Sequence, residues 1–131
     1  MEPKFTTAPQ LLAVREELQR REPIFHHPEL GTTRADYENM TDANFWEVGA
    51  SGRRYSREYV LDTLENRPPN PEEASWVMRD FQCQKIAADN YLITYTLFQG
   101  PRVTRRATLW RKTPAGWKIL YHQGTMVEES P

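Results

Sequence analysis

The sequence has a single cysteine, Cys83, so no intramolecular disulfide can form. Neither sign of charge predominates. Seventeen basic and 18 acidic side chains leave a formal charge of -1, which argues against a nucleic-acid surface and against binding to an acidic membrane. The basic pairs Arg20-Arg21, Arg53-Arg54, Arg105-Arg106 and Arg111-Lys112 are dispersed among acids and form ordinary solvated faces. No apolar run approaches membrane-spanning length, and residues 1–9 lack the apolar core of a signal peptide, so a cytoplasmic protein is expected. There is no internal repeat and no low-complexity stretch. Of the three histidines, His26 and His27 are adjacent and have no third ligand at recognisable spacing, so neither a metal nor another cofactor is expected.

Aromatic residues, by contrast, are abundant: four Trp, six Tyr and five Phe among 131 residues. A chain of this length suits one domain, with its core over residues 10–127, and can bury about two-thirds of its unfolded surface. Leu11, Val14, Leu18 and Phe25 recur at helical spacing, with Thr7 as a plausible N-cap and Pro23 as the break. A loop spans residues 26–31, and Thr33 caps a short helix running to Met40. Phe45 to Val48 is strand-like, Gly49-Ala50-Ser51-Gly52 forms a turn, and Ser56 caps a helix with Tyr59, Val60 and Leu64 on its apolar side. Pro68, Pro69 and Pro71 make a rigid connector.

Four strands follow, over residues 76–88, 91–98, 102–112 and 117–127, separated by Asp89-Asn90, Gly100-Pro101 and Pro114-Ala115-Gly116. Helices followed by an antiparallel meander predict an α+β fold. A strongly bent sheet with helices across its concave side leaves a pocket at its wide end, lined by alternate residues of each strand.

Two segments, FWEVGASGRRYSRE (45–58) and TLWRKTPAGWKILYHQGT (108–125), resemble the domain of unknown function 4440 family of the nuclear-transport-factor-2-like superfamily. Its relatives include ketosteroid isomerase, SnoaL-type cyclases and the association domain of calcium/calmodulin-dependent kinase II. The resemblance implies a cone-shaped roll with one internal pocket, and a homodimer formed through the convex sheet face. It places Phe45, Glu47, Ile93, Tyr95, Leu97, Arg106, Thr108, Trp110, Trp117, Ile119, Tyr121 and Gln123 inward. Trp46, Val48, Ala107, Leu109, Lys118, Leu120 and His122 are placed outward.

One departure from those relatives bears on chemistry. Gly49 stands where ketosteroid isomerase has its base aspartate, and Thr108 where that enzyme keeps a protonated aspartic acid. Glu47 is the nearby carboxylate that could substitute. Glu47 and Arg106 form the candidate catalytic pair, with Glu47 as base, or else a buried ion pair that braces the cone. Tyr95, Thr108, Trp110, Tyr121 and Gln123 are candidate ligand contacts, or core residues with satisfied polar tips. His122 is assigned to the surface or to a dimer interface. The serine of Gly49-Ala50-Ser51-Gly52-Arg53 belongs to a turn, because a nucleophile elbow requires glycine at the position of Arg53. Three readings follow: a small-molecule-binding protein, an isomerase-, cyclase- or dehydratase-type enzyme, and an oligomeric scaffold.

Overall fold

The computed structural model describes residues 1–128. Three helices, α1 (Leu12–Gln19), α2 (Arg34–Met40) and α3 (Arg57–Glu65), pack on a mixed sheet. Its six strands are β1 (Thr41–Val48), β2 (Arg54–Ser56), β3 (Val77–Ala87), β4 (Asn90–Gln99), β5 (Arg102–Thr113) and β6 (Gly116–Met126). The sheet order is β2-β1-β6-β5-β4-β3, antiparallel throughout except where β1 runs parallel to β6. The α+β roll expected from the sequence is therefore present. No helix among the described residues is long and apolar enough to cross a membrane.

Local chemistry accounts for the helix starts. Thr33 and Asp36 form a capping box, each side chain bonding the other's backbone N–H. Ser56 accepts the N–H of Tyr59 and starts α3. Thr7 does not cap α1, contrary to the expectation above. Its hydroxyl accepts the N–H of Cys83 at 3.1 Å, which satisfies a donor on the edge strand β3. The apolar stripe was also overextended: α1 ends at Gln19, and Phe25 lies beyond it with φ of 67°, its ring edge-on to Phe45 and Tyr37. Tertiary contact, rather than helical periodicity, brings Phe25 into the core. The strand β2 escaped the sequence reading because its three residues are too few to display alternation.

Phe45, Ile93, Leu97 and Ile119 from the concave face meet Leu18, Ile24 and Val60 to make the core. Burying side chains of this size contributes roughly 1.5–3 kcal/mol each. Alternation holds along β4 and β5 but fails on β6. Leu109 pairs with Tyr121 and Trp110 with Ile119, so Leu120 is left opposite no residue of β5. An extra residue of this kind inverts the facing of everything beyond it. Trp117 and Ile119 are buried as expected; thereafter His122 and Gly124 turn inward, and Tyr121 and Gln123 turn outward.

Candidate functional site

The bulge at Leu120 brings four polar side chains into one row on the concave face. Glu47 pairs in register with Tyr55 on one side and with His122 on the other, and His122 pairs with Thr108. One step along the strands, Arg106 lies between Tyr95 and Gly124. Gly124 has no side chain to fill the space that the Arg106 guanidinium crosses; a Cβ built there would lie 3.7 Å from Nε. The helix α3 and the loop at Ile24 to His26 close over this row.

The partly open cavity has a volume of about 300 Å³. Ile24, Phe25, Val60 and Leu64 give it apolar walls, while Glu47, Arg67, Arg106 and His122 supply polar groups. Tyr55 and Tyr59, stacked with ring centroids 5.0 Å apart, form one side. A larger cavity of about 560 Å³ lies on the opposite face of the sheet, where Glu2, Pro3 and Phe5 run past Thr94, Thr96 and Arg105. Its lining combines the buried Thr96 with the exposed Gln123 and Thr125.

Glu47 and Arg106 face the same cavity, yet among the described residues Glu47 has neither an ion-pair nor a hydrogen-bond partner. Arg106 instead donates from Nε to Thr104 Oγ1 at 3.0 Å and from Nη2 toward Gln99 Oε1 at 3.5 Å. The locked bridge weighed from the sequence is therefore not formed. Burial pushes the Glu47 carboxyl above the usual carboxylate range, and the nearby Arg106 charge only partly offsets this. Burial likewise lowers the Arg106 pKa.

Beneath the cavity lies Glu22, fully buried. Tyr95 donates its hydroxyl to Oε1 at 2.7 Å, and Trp110 donates Nε1–H to Oε2 at 3.0 Å. The Thr108 hydroxyl and the Ile24 N–H make further contacts with the carboxylate. Burial raises the Glu22 pKa and these donors lower it again, with burial prevailing. Thr108 Oγ1 also lies 2.9 Å from His122 Nδ1, while His122 Nε2 is buried without a partner among the described residues. Burial first, and then the Arg106 charge, press the His122 pKa down to about 3, so its ring is neutral.

Of the residues selected from the sequence, Glu47 and Arg106 thus line the cavity together. Tyr95 and Trp110 point inward as expected but spend their polar atoms on Glu22, and Thr108 bridges toward His122. Tyr121 and Gln123 are corrected to the outer face, where the Tyr121 hydroxyl donates to Gln123 Oε1 at 2.6 Å and its ring lies 4.8 Å from Trp46. Both follow from the Leu120 bulge, as does the inward position of His122. Glu22 carried no signal in the sequence, because it lies between the last turn of α1 and Pro23, where a charged residue ordinarily meets solvent. His26 and Arg67 were also missed. His26 bonds Glu73 at 2.7 Å, and Arg67 donates to the Phe25 carbonyl. Gly49 has a steric reason for being glycine, since a Cβ there would meet the Tyr55 ring at 2.9 Å.

Comparison with family models and with curated proteins gives no match. Solved structures do resemble the chain. A protein of unknown function from the DUF3225 family of Pectobacterium atrosepticum has a TM-score of 0.69 at 18% identity, over 92% of this chain and 94% of that one. An NTF2-like protein from Rhodospirillum rubrum, of unknown function in nutrient uptake, has a TM-score of 0.60 at 16% identity, over 89% and 98%. A ketosteroid isomerase candidate from Parabacteroides distasonis has a TM-score of 0.60 at 15% identity, over 92% and 88%. At these identities the likeness establishes the nuclear-transport-factor-2-like fold and nothing finer.

Proposed function

We propose that this chain binds a small organic molecule in the Glu47–Arg106 cavity and that Glu47 acts there as a general base. The observation that carries this reading is the unpaired, largely buried Glu47 opposite a guanidinium it does not touch. A carboxylate held only for stability would be expected to close that gap, because a lone buried charge is costly. A raised pKa also brings a carboxylate toward the range useful for proton abstraction. In the reaction proposed, Glu47 takes a proton from carbon next to a carbonyl, and the C–H electron pair moves into the carbonyl system. The charge that develops on oxygen is held by Arg106. In a β,γ-unsaturated substrate, return of the proton to the γ-carbon, with the double bond shifting into conjugation, completes an isomerisation. Placement with the domain of unknown function 4440 proteins remains part of this proposal and rests on the segments 45–58 and 108–125.

A second reading, binding without chemistry, is favoured by Gly49 and Thr108 standing where the isomerase has its aspartates. One experiment separates the two. Small carboxylic acids, ketones and aromatic metabolites are screened by thermal shift, and ligands found are followed by NMR for exchange of the C–H next to the carbonyl in deuterated water. Exchange that stops in Glu47→Gln supports the base. Binding lost in Arg106→Ala without any exchange supports the second reading, and a flat screen removes both.

A further inference from the structure

His122 Nε2 and Arg15 Nε are the buried side-chain nitrogens without a hydrogen-bond partner among the described residues. Only the first belongs to a residue that lines the cavity. An unpartnered buried polar atom ordinarily costs roughly 1–3 kcal/mol, so its position against the cavity calls for an explanation. The state of the ring follows from its neighbours. Trp110 can only donate, which makes Glu22 Oε2 an acceptor, and Tyr95 donates to Oε1. Turned toward this carboxylate, the Thr108 hydroxyl gives its proton to Glu22. Its oxygen, 2.9 Å from His122 Nδ1, is then left to accept. In that arrangement the neutral imidazole carries its one proton on Nδ1, and Nε2 is left with a bare lone pair.

We propose that His122 is a ligand-contacting residue, with Thr108 and Glu22 as positioning residues that keep Nε2 an acceptor. The site then takes molecules that combine an oxygen for Arg106 with a neighbouring hydroxyl or N–H for His122, such as small hydroxy acids. Among the described residues, Arg67 and Arg106 both face the cavity without a carboxylate partner, which suits an anionic oxygen group, and the apolar walls suit a hydrocarbon body. This deepens the reading above and rests on the same cavity, but it does not require Glu47 to act as a base.

Two measurements test it. The first needs no ligand: long-range proton–nitrogen NMR correlation of the imidazoles in the intact protein. Expected are a protonated Nδ1 and a bare Nε2 on His122, a shift toward Nε2–H in Thr108→Val, and restoration in Thr108→Ser. A protonated Nε2 in the wild type overturns the proposal while leaving the cavity reading intact. The second compares phenylacetate with its 2-hydroxy derivative by calorimetry. The hydroxylated acid is expected to bind about tenfold more tightly, the worth of one good hydrogen bond. That advantage disappears in His122→Asn, whose amide can still reach Thr108. Equal affinities in the wild type, or an advantage that survives in His122→Asn, overturn the proposal. Failure of both acids to bind also overturns its ligand assignment, and additionally counts against the cavity reading.

Discussion

Glu47 and His122 are immediate neighbours across the parallel β1–β6 pairing, both facing the cavity. One residue, Leu120, makes them so. Without its bulge, His122 would face solvent and Tyr121 would take its place beside the carboxylate. An acid and a neutral imidazole in one partly closed cavity are a pair able to handle protons, and the predictions below follow from that arrangement.

Glu47→Gln should leave stability unchanged or raise it by up to about 1 kcal/mol, since it removes a costly buried charge and breaks no bond. Removing one partner of a true buried ion pair would instead cost roughly 3–5 kcal/mol. Urea denaturation of wild type and variant distinguishes the two, and a loss in the larger range would assign Glu47 to bracing.

Glu22→Ala should lose about 3–5 kcal/mol, because it orphans the Tyr95 and Trp110 donors and opens a hole beneath Thr108. Glu22→Gln keeps the shape but presents a donor to one of those donors, so an intermediate loss is expected. A change below about 1 kcal/mol in the alanine variant would remove this network from the supports of the site.

His122 gives a definite pH dependence. Its folded pKa is about 3, against 6.5 for the ordinary group. Between those values the unfolded chain binds the extra proton, so stability falls as pH falls, by up to about 1.4 kcal/mol per unit. Glu22 and Glu47, with raised pKa values, act in the opposite sense: their contributions are present at low pH and are lost as pH rises. Comparison with His122→Asn isolates the histidine. The variant should gain on the wild type as pH drops below about 6.5, and parallel stability curves would contradict a buried neutral ring.

On the outer face, Trp46, Tyr121, Leu109 and Leu92 form an in-register row across four strands, with Trp46 43% exposed. We propose that this row packs against the same face of a second copy, since a continuous apolar strip on a sheet is self-complementary. Sedimentation should give a dimer for the wild type and a monomer for Trp46→Glu combined with Leu109→Glu. A monomeric wild type would sink the idea.

The sequence alone determined the main element types apart from β2, the α+β class, and the Thr33 and Ser56 caps, while the family resemblance supplied the inward set on β1, β4 and β5. Period-two alternation and cap chemistry are local, and they survive in the folded chain. The same resemblance assigned Glu47 and Arg106 to a common pocket, but not whether they touch. The tertiary structure decided what depends on long-range geometry. The bulge at Leu120 exchanged His122 for Tyr121 and Gln123, because a single unpaired residue reverses strand parity and leaves no mark in composition. It also placed Glu22, a charge beside a proline, among Tyr95, Trp110 and Thr108, residues 73 to 88 positions away in the chain. Only the assembled sheet could bring the donors that make such a burial tolerable.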